Sequence, residues 1–350
     1  MNDAGIIDVR DDERFDEARV AAWLRAHALP GSDAPMTVRQ FSGGKANLTY
    51  LLQFGDDVRH VLRRPPLGPV ARGAHDMARE FRVLSRLHQV YRPAPRAWLF
   101  CDQHEILGAD FFIMEYRQGV VVRERMPAGF AAIVDAPQRM SFALVDALAD
   151  LHVIDPAAAG LADLGRPEGF IERQISGWYQ RWQVASIEPM AAIDAIHAWL
   201  LAHQPPSQRV SLVHNDCKLD NALLSASDPG RIEAIFDWDM CTLGDPLSDL
   251  GALLTYWCRP DDPPEFHAMA TMPVDSRFPT RRELIERYAL RSGLDVGHAH
   301  FHHVLGLFRL CVILIQIHVR YQRGQTRDQR FANYGDLARL AADWALRIAG

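Results

Sequence analysis

Four polar residues in the middle of the chain have the types and spacing that phosphoryl transfer needs. His214, Asp216 and Asn221 lie close together in sequence, and Asp237 follows one predicted hairpin later. A carboxylate can accept the proton of an attacking hydroxyl, and carboxylate and amide oxygens are the hard ligands that Mg²⁺ takes. This stretch therefore predicts a metal-assisted transfer of a phosphoryl group.

Each residue has an expected role in that chemistry. Asp216 would act as the base, Asn221 and Asp237 would hold Mg²⁺, and Lys218 would offset the charge that develops on the transferred group. The alternative is that these Asn and Asp residues only form turns after buried strands, since both residue types favour turns.

Short apolar runs must hold these groups in place. Strands are predicted over 210–213, 222–224 and 232–236, which puts the polar residues at strand ends. Farther along, Gly244-Asp-Pro246 would start a helix with Asp249 in its first turns, and Asp249 could accept hydrogen bonds from backbone N–H groups of the catalytic stretch. The alternative for Asp249 is an acidic residue that merely favours a helix start.

The composition is that of a globular protein long enough for two lobes. The chain has 350 residues, of which 48% are hydrophobic and 23% are charged, and its net charge of −6 gives no reason to expect nucleic acid or an anionic membrane as a partner. The apolar run at 310–315 is too short to span a membrane and predicts a buried helix or strand.

The five cysteines are an odd number and form no Cys-x-x-Cys pair. They indicate reduced thiols, and with an acidic N-terminus unlike a signal peptide they predict a cytoplasmic protein. Cys217 lies within the catalytic stretch, where a nucleophilic thiol would need a base partner. We interpret Cys217 as a packing residue.

The N-terminal part predicts a nucleotide-binding sheet. A helix is expected over 14–28, and strands over 37–41, 48–54, 60–63, 97–102 and 111–116. Between the first two strands, Gly43 and Gly44 would let backbone N–H groups approach phosphates, and Asn47 or Lys45 would add a donor. The alternative is a hairpin that makes only a turn.

Two further features of this part suit a nucleotide. Arg63 would contact the phosphates and be oriented by Glu80 of the next helix, as a basic residue and a carboxylate are in kinase-like folds; the alternative is a surface ion pair. The backbone of Met114, Glu115 and Tyr116 would face a purine edge. Gly119 then marks the expected hinge.

The rest of the chain is predicted to be mainly helical. The expected helices cover 137–152, 169–183, 190–203, 281–291, 298–322 and 330–348. The aromatic residues Trp178, Tyr179 and Trp182 would either bind substrate or pack in the core. The histidines between His298 and His303 suggest a metal site, but no carboxylate or cysteine lies near them at ligand spacing.

Three motifs together resemble the aminoglycoside phosphotransferase and choline kinase superfamily. They are His214-x-Asp216-x4-Asn221, Phe236-Asp-Trp-Asp239 and Gly244-Asp-Pro-x-x-Asp249. The stretches Phe41–Tyr50 and Val61–Pro66, and Arg173-Gln174 with Trp178, are most similar to the kinase-like N-terminal domains of acyl-CoA dehydrogenase family members 10 and 11.

This resemblance implies an α+β, bilobal protein-kinase-like fold. Residues 1–118 would form a nucleotide-binding N-lobe with an antiparallel sheet and one main helix. Residues 119–350 would form a mainly helical C-lobe with the catalytic loop, the metal site and a helical substrate-binding region. The cofactors would be ATP or GTP with Mg²⁺. Asp239 stands where a protein kinase has glycine and is expected to be an extra metal or water ligand.

The leading prediction is a small-molecule kinase acting on an alcohol acceptor, as a monomer or homodimer. The alternative is a nucleotide-binding pseudokinase that acts as a scaffold; a protein kinase is disfavoured because no long activation segment follows Asp237. The acceptor stays open between an aminoglycoside, a hydroxyacyl-CoA and another metabolite. Residues 120–210 contain no dense acidic run of the kind that binds a polycation.

Overall fold

The computed structural model describes residues 5–42, 47–68, 75–267, 270–326 and 328–350. Contacts divide the chain into two compact units. The first comprises Met1–Gln118 with Ala234–Cys241, and the second comprises Gly119–Glu233 with Thr242–Gly350.

The first unit is built on a six-stranded antiparallel sheet with the order β1-β2-β3-β4-β6-β5. This confirms the predicted N-terminal sheet. Its strands are β1 (Ile6–Ile7), β2 (Met36–Phe41), β3 (Leu48–Phe54), β4 (Val58–Arg64), β5 (Ala97–Cys101) and β6 (Phe111–Glu115). Its helices are α1 (Glu17–Ala26), α2 (Met77–Leu87) and α3 (His104–Leu107).

Strand alternation separates the two adjacent arginines at the end of β4. Arg64 lies opposite Leu48 in β3 and Arg63 lies opposite Thr49, so their side chains leave opposite faces of the sheet. One face carries an apolar cluster that includes Leu62 and residues of α1. The other carries Arg63 towards Glu80 of α2.

The segment Ala234–Cys241 is counted with the first unit, whereas the sequence prediction placed every residue after 118 in the second lobe. Ile235 N–H donates to the Pro93 carbonyl at 2.8 Å. The fully buried indole of Trp238 packs edge-on against Tyr91, with 6.0 Å between ring centroids. Burying that large ring among these residues fixes the segment to the first unit.

The second unit is mainly helical, as predicted. Its helices are α4 (Ala128–Ala131), α5 (Ala136–His152), α6 (Phe170–Ala185), α7 (Ala191–Ala202), α8 (Pro246–Tyr256), α9 (Pro264–His267), α10 (Arg281–Ser292), α11 (Ala299–Gln322) and α12 (Tyr334–Ala349). Short strands form two small sheets, ordered β10-β9-β7 and β11-β8. These strands are β7 (Val120–Val121), β8 (Ser211–Val213), β9 (Ala222–Ser225), β10 (Asp228–Ile235) and β11 (Thr242–Gly244).

Helix α11 is the central helix of the second unit and packs against α12, α8, α6 and α7. By length and composition this helix of 24 residues is apolar enough to cross a membrane, but 61% of its most apolar window is buried inside the protein. The run 310–315 lies within it and is a buried helix, as expected. Gly251 of α8 lies so close to α11 that a Cβ there would be 2.1 Å from the His302 carbonyl oxygen.

A buried chain of hydrogen bonds supports the turn after β8. The Asp249 carboxylate accepts from the backbone N–H groups of His214 and Asn215, each at 2.6 Å. The His152 ring lies 3.1 Å from Asp249 on one side and 2.7 Å from the Tyr288 hydroxyl on the other. Burial raises the pKa of Asp249, but these hydrogen bonds and the nearby histidines outweigh burial and hold it below its ordinary value.

His302 and His303 of α11 are buried, and three of their four ring nitrogens have no hydrogen-bond partner in the described part of the chain. Burial lowers the pKa of His302 to about 4 and that of His303 to about 3. Within the residues that the structure describes, no group of three His, Cys, Asp or Glu is arranged to hold a metal ion. These histidines are therefore neutral core residues.

The buried His303 should make the protein sensitive to acid. The folded-state pKa of His303 lies below its unfolded-state value of about 6.5. The contribution of the neutral His303 ring to the stability of the fold is therefore complete above pH 6.5, and it is lost as the pH falls towards 3. Between pH 7 and pH 4, the free energy of unfolding should fall by about 3 kcal/mol more in the wild type than in His303→Leu. Urea unfolding followed by circular dichroism measures both values, with exposed His104→Gln as the control. An equal loss in wild type and His303→Leu would contradict this assignment.

Replacing Asp249 should destabilise the second unit. In Asp249→Asn one acceptor oxygen becomes a donor that faces backbone N–H groups, which leaves buried polar groups unsatisfied, and the expected cost is about 3 kcal/mol. The matched control is Asp336→Asn, which removes an exposed pair with Arg339 and should cost less than about 0.5 kcal/mol. Urea titrations of both variants test this, and equal midpoints would refute it.

Candidate active site

The catalytic stretch begins with a turn whose backbone is in an uncommon conformation. Asn215 has a φ of +67°, in the left-handed region that Asn adopts more readily than most residues. The Asp249 carboxylate accepts hydrogen bonds from the backbone N–H groups of His214 and Asn215. The turn is thus fixed before the chain reaches Asp216.

Asp216 is held by two of the residues that the sequence predicted beside it. The Asn221 side chain donates from Nδ2 to the Asp216 Oδ2 at 2.8 Å and to its carbonyl at 2.9 Å. Lys218 Nζ lies 3.1 Å from the same Oδ2. Because Nδ2 of Asn221 is used in this way, its amide oxygen is the atom suited to a metal. In the part of the chain that the structure describes, Asp216 Oδ1 makes no hydrogen bond and can accept one from a substrate hydroxyl.

Charge around this loop favours an ionised Lys218. Burial disfavours the ammonium group, but the carboxylates of Asp216 and Asp220 outweigh burial and raise the pKa of Lys218. Burial, with Asp249 and Asp216, also raises the pKa of the Cys217 thiol well above its ordinary value. Cys217 is 2% exposed, so it is a packing residue, as its sequence context suggested.

The first unit brings Arg63 together with its predicted partner Glu80 and with the predicted metal ligand Asp237. Arg63 Nε donates to Glu80 Oε2 at 2.8 Å, and its Nη2 donates to Asp237. Glu80 is 1% exposed and Arg63 is 8% exposed, so this is a buried pair and not the surface ion pair considered as an alternative. Asp237 has a φ of +71°, a strained backbone of the kind that occurs at functional sites.

Three carboxylates of the first unit, those of Glu80, Asp237 and Asp239, act on the Arg63 guanidinium. Burial raises the pKa of Glu80 to about 7; Asp237 and Asp239 add to this, and Arg63 opposes it. Burial disfavours the charged Arg63, but the same three carboxylates outweigh it and raise its pKa. One guanidinium thus faces three carboxylates, and this donor set has the charge and the hard oxygens that fit a divalent cation.

Asn47, predicted to grip the nucleotide, is 2% exposed. Its Oδ1 lies 2.8 Å from the His75 ring, while its buried Nδ2 has no hydrogen-bond partner among the described residues, which leave out 43–46. A buried donor without an acceptor fits a ligand oxygen. The other predicted members of this loop, Gly43 and Gly44, lie outside the described residues, as does Lys45.

The predicted purine-facing segment is the end of β6. Met114 is buried, and Glu115 N–H donates to the Arg96 carbonyl at 2.8 Å, so that N–H is already engaged. Tyr116 follows the strand, with the Arg59 guanidinium 5.7 Å from its ring centroid. Gly119 is the first residue of the second unit, and a Cβ there would lie 2.3 Å from the Leu224 carbonyl oxygen, so only glycine fits.

Two supporting residues were missed by the sequence reasoning. The His152 ring contacts Asp249, and the Tyr288 hydroxyl contacts that ring on its other side. Both residues are far from Asp249 in sequence and lie within ordinary amphipathic helices. Only the fold brings them to the catalytic turn.

Comparisons with known proteins show the family of this chain. A family model described as the phosphotransferase enzyme family matches residues 37–284. Acyl-CoA dehydrogenase family member 11 of Rattus norvegicus is 33% identical over 330 residues, which cover 92% of this chain and 42% of that protein. The chain therefore spans less than half the length of this curated relative.

Solved structures share the fold. A protein named as a candidate aminoglycoside phosphotransferase of Ralstonia eutropha JMP134 superposes with a TM-score of 0.80 at 27% identity, covering 96% of this chain and 98% of its own. An aminoglycoside phosphotransferase in a ternary complex with ADP and hygromycin B superposes with a TM-score of 0.59 at 16% identity, covering 90% and 94%.

The α+β fold predicted from the sequence is confirmed by these superpositions, and the family model covers more than half of the residues. The chain belongs to the phosphotransferase enzyme family, is related to the kinase-like domains of acyl-CoA dehydrogenase family members 10 and 11 and to a candidate aminoglycoside phosphotransferase, and shares its fold with choline kinase.

Proposed function

We propose that this protein transfers the γ-phosphoryl group of ATP or GTP to a hydroxyl of a small molecule, with Asp216 as the base. The observation that carries the proposal is the carboxylate of Asp216, which is fixed at one oxygen by Asn221 and Lys218 while the other oxygen makes no hydrogen bond within the described residues. A base held in one orientation beside a cation suits proton abstraction from an alcohol.

Lys218 has a second role in this proposal. Its raised pKa keeps it charged at neutral pH, and the ammonium group lies beside the carboxylate where the acceptor hydroxyl would bind. A fixed positive charge at this place stabilises the negative charge that spreads over the transferred group.

The nucleotide and its metal would be held by the remaining predicted residues. Arg63, oriented by Glu80, would contact the phosphates, and Asn47 with Gly43 and Gly44 would add donors; the backbone of Met114, Glu115 and Tyr116 would face the purine. The three carboxylates that act on Arg63 support Mg²⁺ binding by Asp237 and Asp239, and the sequence motif adds the Asn221 amide oxygen as a further ligand. When bound, Mg²⁺ neutralises phosphate charge. The ADP held by a solved structure of the same fold supports a nucleotide as donor.

A screen of hydroxyl compounds with ATP and with GTP tests the proposed reaction. We expect nucleoside diphosphate to be released with at least one acceptor, and Asp216→Asn to lower that turnover by roughly two to four orders of magnitude because the base is lost. Nucleotide affinity, measured by calorimetry, should be unchanged.

The control for this experiment is Asp220→Asn, which makes the same change four residues along the same loop and should change turnover less than about tenfold. Unchanged turnover in Asp216→Asn would refute the base. Nucleotide binding without diphosphate release from any acceptor would favour a pseudokinase scaffold.

Asp237→Ala should remove the Mg²⁺ dependence of nucleotide binding. Its carboxylate is the proposed ligand, so the affinity for ATP with and without Mg²⁺ should become equal within about twofold. Calorimetric titrations measure both affinities. Asp56→Ala, in an exposed turn of the same unit, is the control and should keep the wild-type dependence. A Mg²⁺ effect of wild-type size in Asp237→Ala would assign the metal to other ligands.

A further inference from the structure

Lys218 is a rare residue type in this chain. Of the 38 lysine and arginine residues, only Lys45 and Lys218 are lysines. A lysine carries a compact charge at the end of a flexible stem, whereas the planar guanidinium of arginine can be held by paired hydrogen bonds. The ammonium group of Lys218 therefore depends on the groups around it to keep one position.

Two contacts hold the Lys218 ammonium within the residues that the structure describes. Its Nζ lies 3.1 Å from Asp216 Oδ2, and it lies over the ring of Tyr256 at 5.0 Å from the ring centroid. That distance is within the range of a cation–π contact. The Lys218 side chain is 18% exposed, so much of the surrounding water is removed, which strengthens the attraction between the ammonium and the ring. All three residues belong to the second unit.

The Tyr256 ring is packed and uncharged. It packs against the apolar cluster that contains Phe308 and Leu310 of α11. Burial raises the pKa of the Tyr256 hydroxyl, and the charge of Asp216 raises it further, whereas Lys218 opposes the rise. The hydroxyl is therefore protonated at neutral pH. Tyr256 attracts Lys218 through the face of its ring and not as a phenolate.

One helix carries both Tyr256 and the buried Asp249. Asp249 lies in the first turn of α8, and Tyr256 is the last residue of that helix, seven residues later. Residues at this spacing lie on one face of a helix, about 10 Å apart along its axis. Asp249 accepts hydrogen bonds from the turn before Asp216, and Tyr256 contacts Lys218 after it. The same face of α8 thus supports the catalytic loop at two points.

We propose that Tyr256 is a positioning residue whose ring face holds the Lys218 ammonium beside Asp216. This inference rests on the proposed function, in which Lys218 offsets the charge that develops on the transferred phosphoryl group. Without the ring face, the flexible stem of Lys218 would reach several rotamers, and the positive charge would leave the site for part of the time. Tyr256 should therefore affect kcat through Lys218 and leave nucleotide binding unchanged.

The position of Lys218 can be measured without any transfer reaction. Protein labelled with ¹³C at lysine alone gives two side-chain Cε signals in an NMR spectrum, and Lys45→Arg assigns them. Protons that lie over an aromatic ring are shifted upfield by the ring current. We expect this shift for Lys218 in the wild type and in Tyr256→Phe, which keeps the ring face, and its loss in Tyr256→Leu. The control is Tyr334→Leu, at another tyrosine that packs against the same cluster, and it should keep the shift.

Turnover with an identified acceptor gives the second readout. Tyr256→Leu should lower kcat about tenfold and change the KM for nucleotide less than about twofold, because a cation–π contact shielded from water contributes about that factor. Tyr256→Phe and Tyr334→Leu should keep the wild-type kcat within about twofold. Pentafluorophenylalanine at position 256 packs like phenylalanine but has an electron-poor face, so it should lower kcat as leucine does. This variant keeps the test decisive if Tyr256→Leu does not fold.

The outcomes separate this inference from the proposed function. The absence of the upfield shift in the wild type, its persistence in Tyr256→Leu, or its equal loss in Tyr256→Phe would overturn the positioning role. A wild-type kcat with pentafluorophenylalanine at position 256 would do the same. If the Lys218 signal behaves as expected but no acceptor is ever phosphorylated, the ring still holds Lys218 and the proposed function fails. If transfer depends on Asp216 but not on the ring at position 256, the function stands and the positioning role fails.

Discussion

The catalytic turn depends on one buried interaction, the pair of hydrogen bonds from the backbone of His214 and Asn215 to the carboxylate of Asp249. Both are 2.6 Å long, and the carboxylate is fully buried. A buried carboxylate is costly unless its oxygens are satisfied, so the turn and the carboxylate stabilise each other. The strained Asn215 backbone is kept in this way, and the direction of the chain towards Asp216 follows from it.

The two units carry different kinds of charge. In the first, three carboxylates act on one guanidinium, and burial, to which Asp237 and Asp239 add, raises the pKa of Glu80. In the second, Lys218 supplies positive charge beside the carboxylate of Asp216. The first arrangement suits a divalent cation, and the second suits a group on which negative charge develops.

Much of the fold was accessible from the sequence because its long elements have strong periodicity. The sheet strands β3, β4 and β6 and the helices α5, α10 and α11 were predicted at nearly their observed bounds. The strands β1, β7 and β11 were missed, since two or three residues carry no period. The grouping of Ala234–Cys241 with the first unit was also missed, because it depends on the burial of Trp238 against Tyr91 and no local pattern encodes that contact.

The candidate site could likewise be predicted from the sequence only where its residues lie close together along the chain. Asp216, Lys218 and Asn221 lie within one short loop, so sequence spacing alone was sufficient to predict that they would lie together. His152 and Tyr288 reach their partners only through helix packing, and in sequence they look like ordinary members of amphipathic helices. The loop residues can therefore be predicted from a motif, whereas the residues that support the loop lie on packed helices. The positions of His152 and Tyr288 depend on how α5, α8 and α10 meet, so two chains with the same loop motif can differ in how firmly that loop is held.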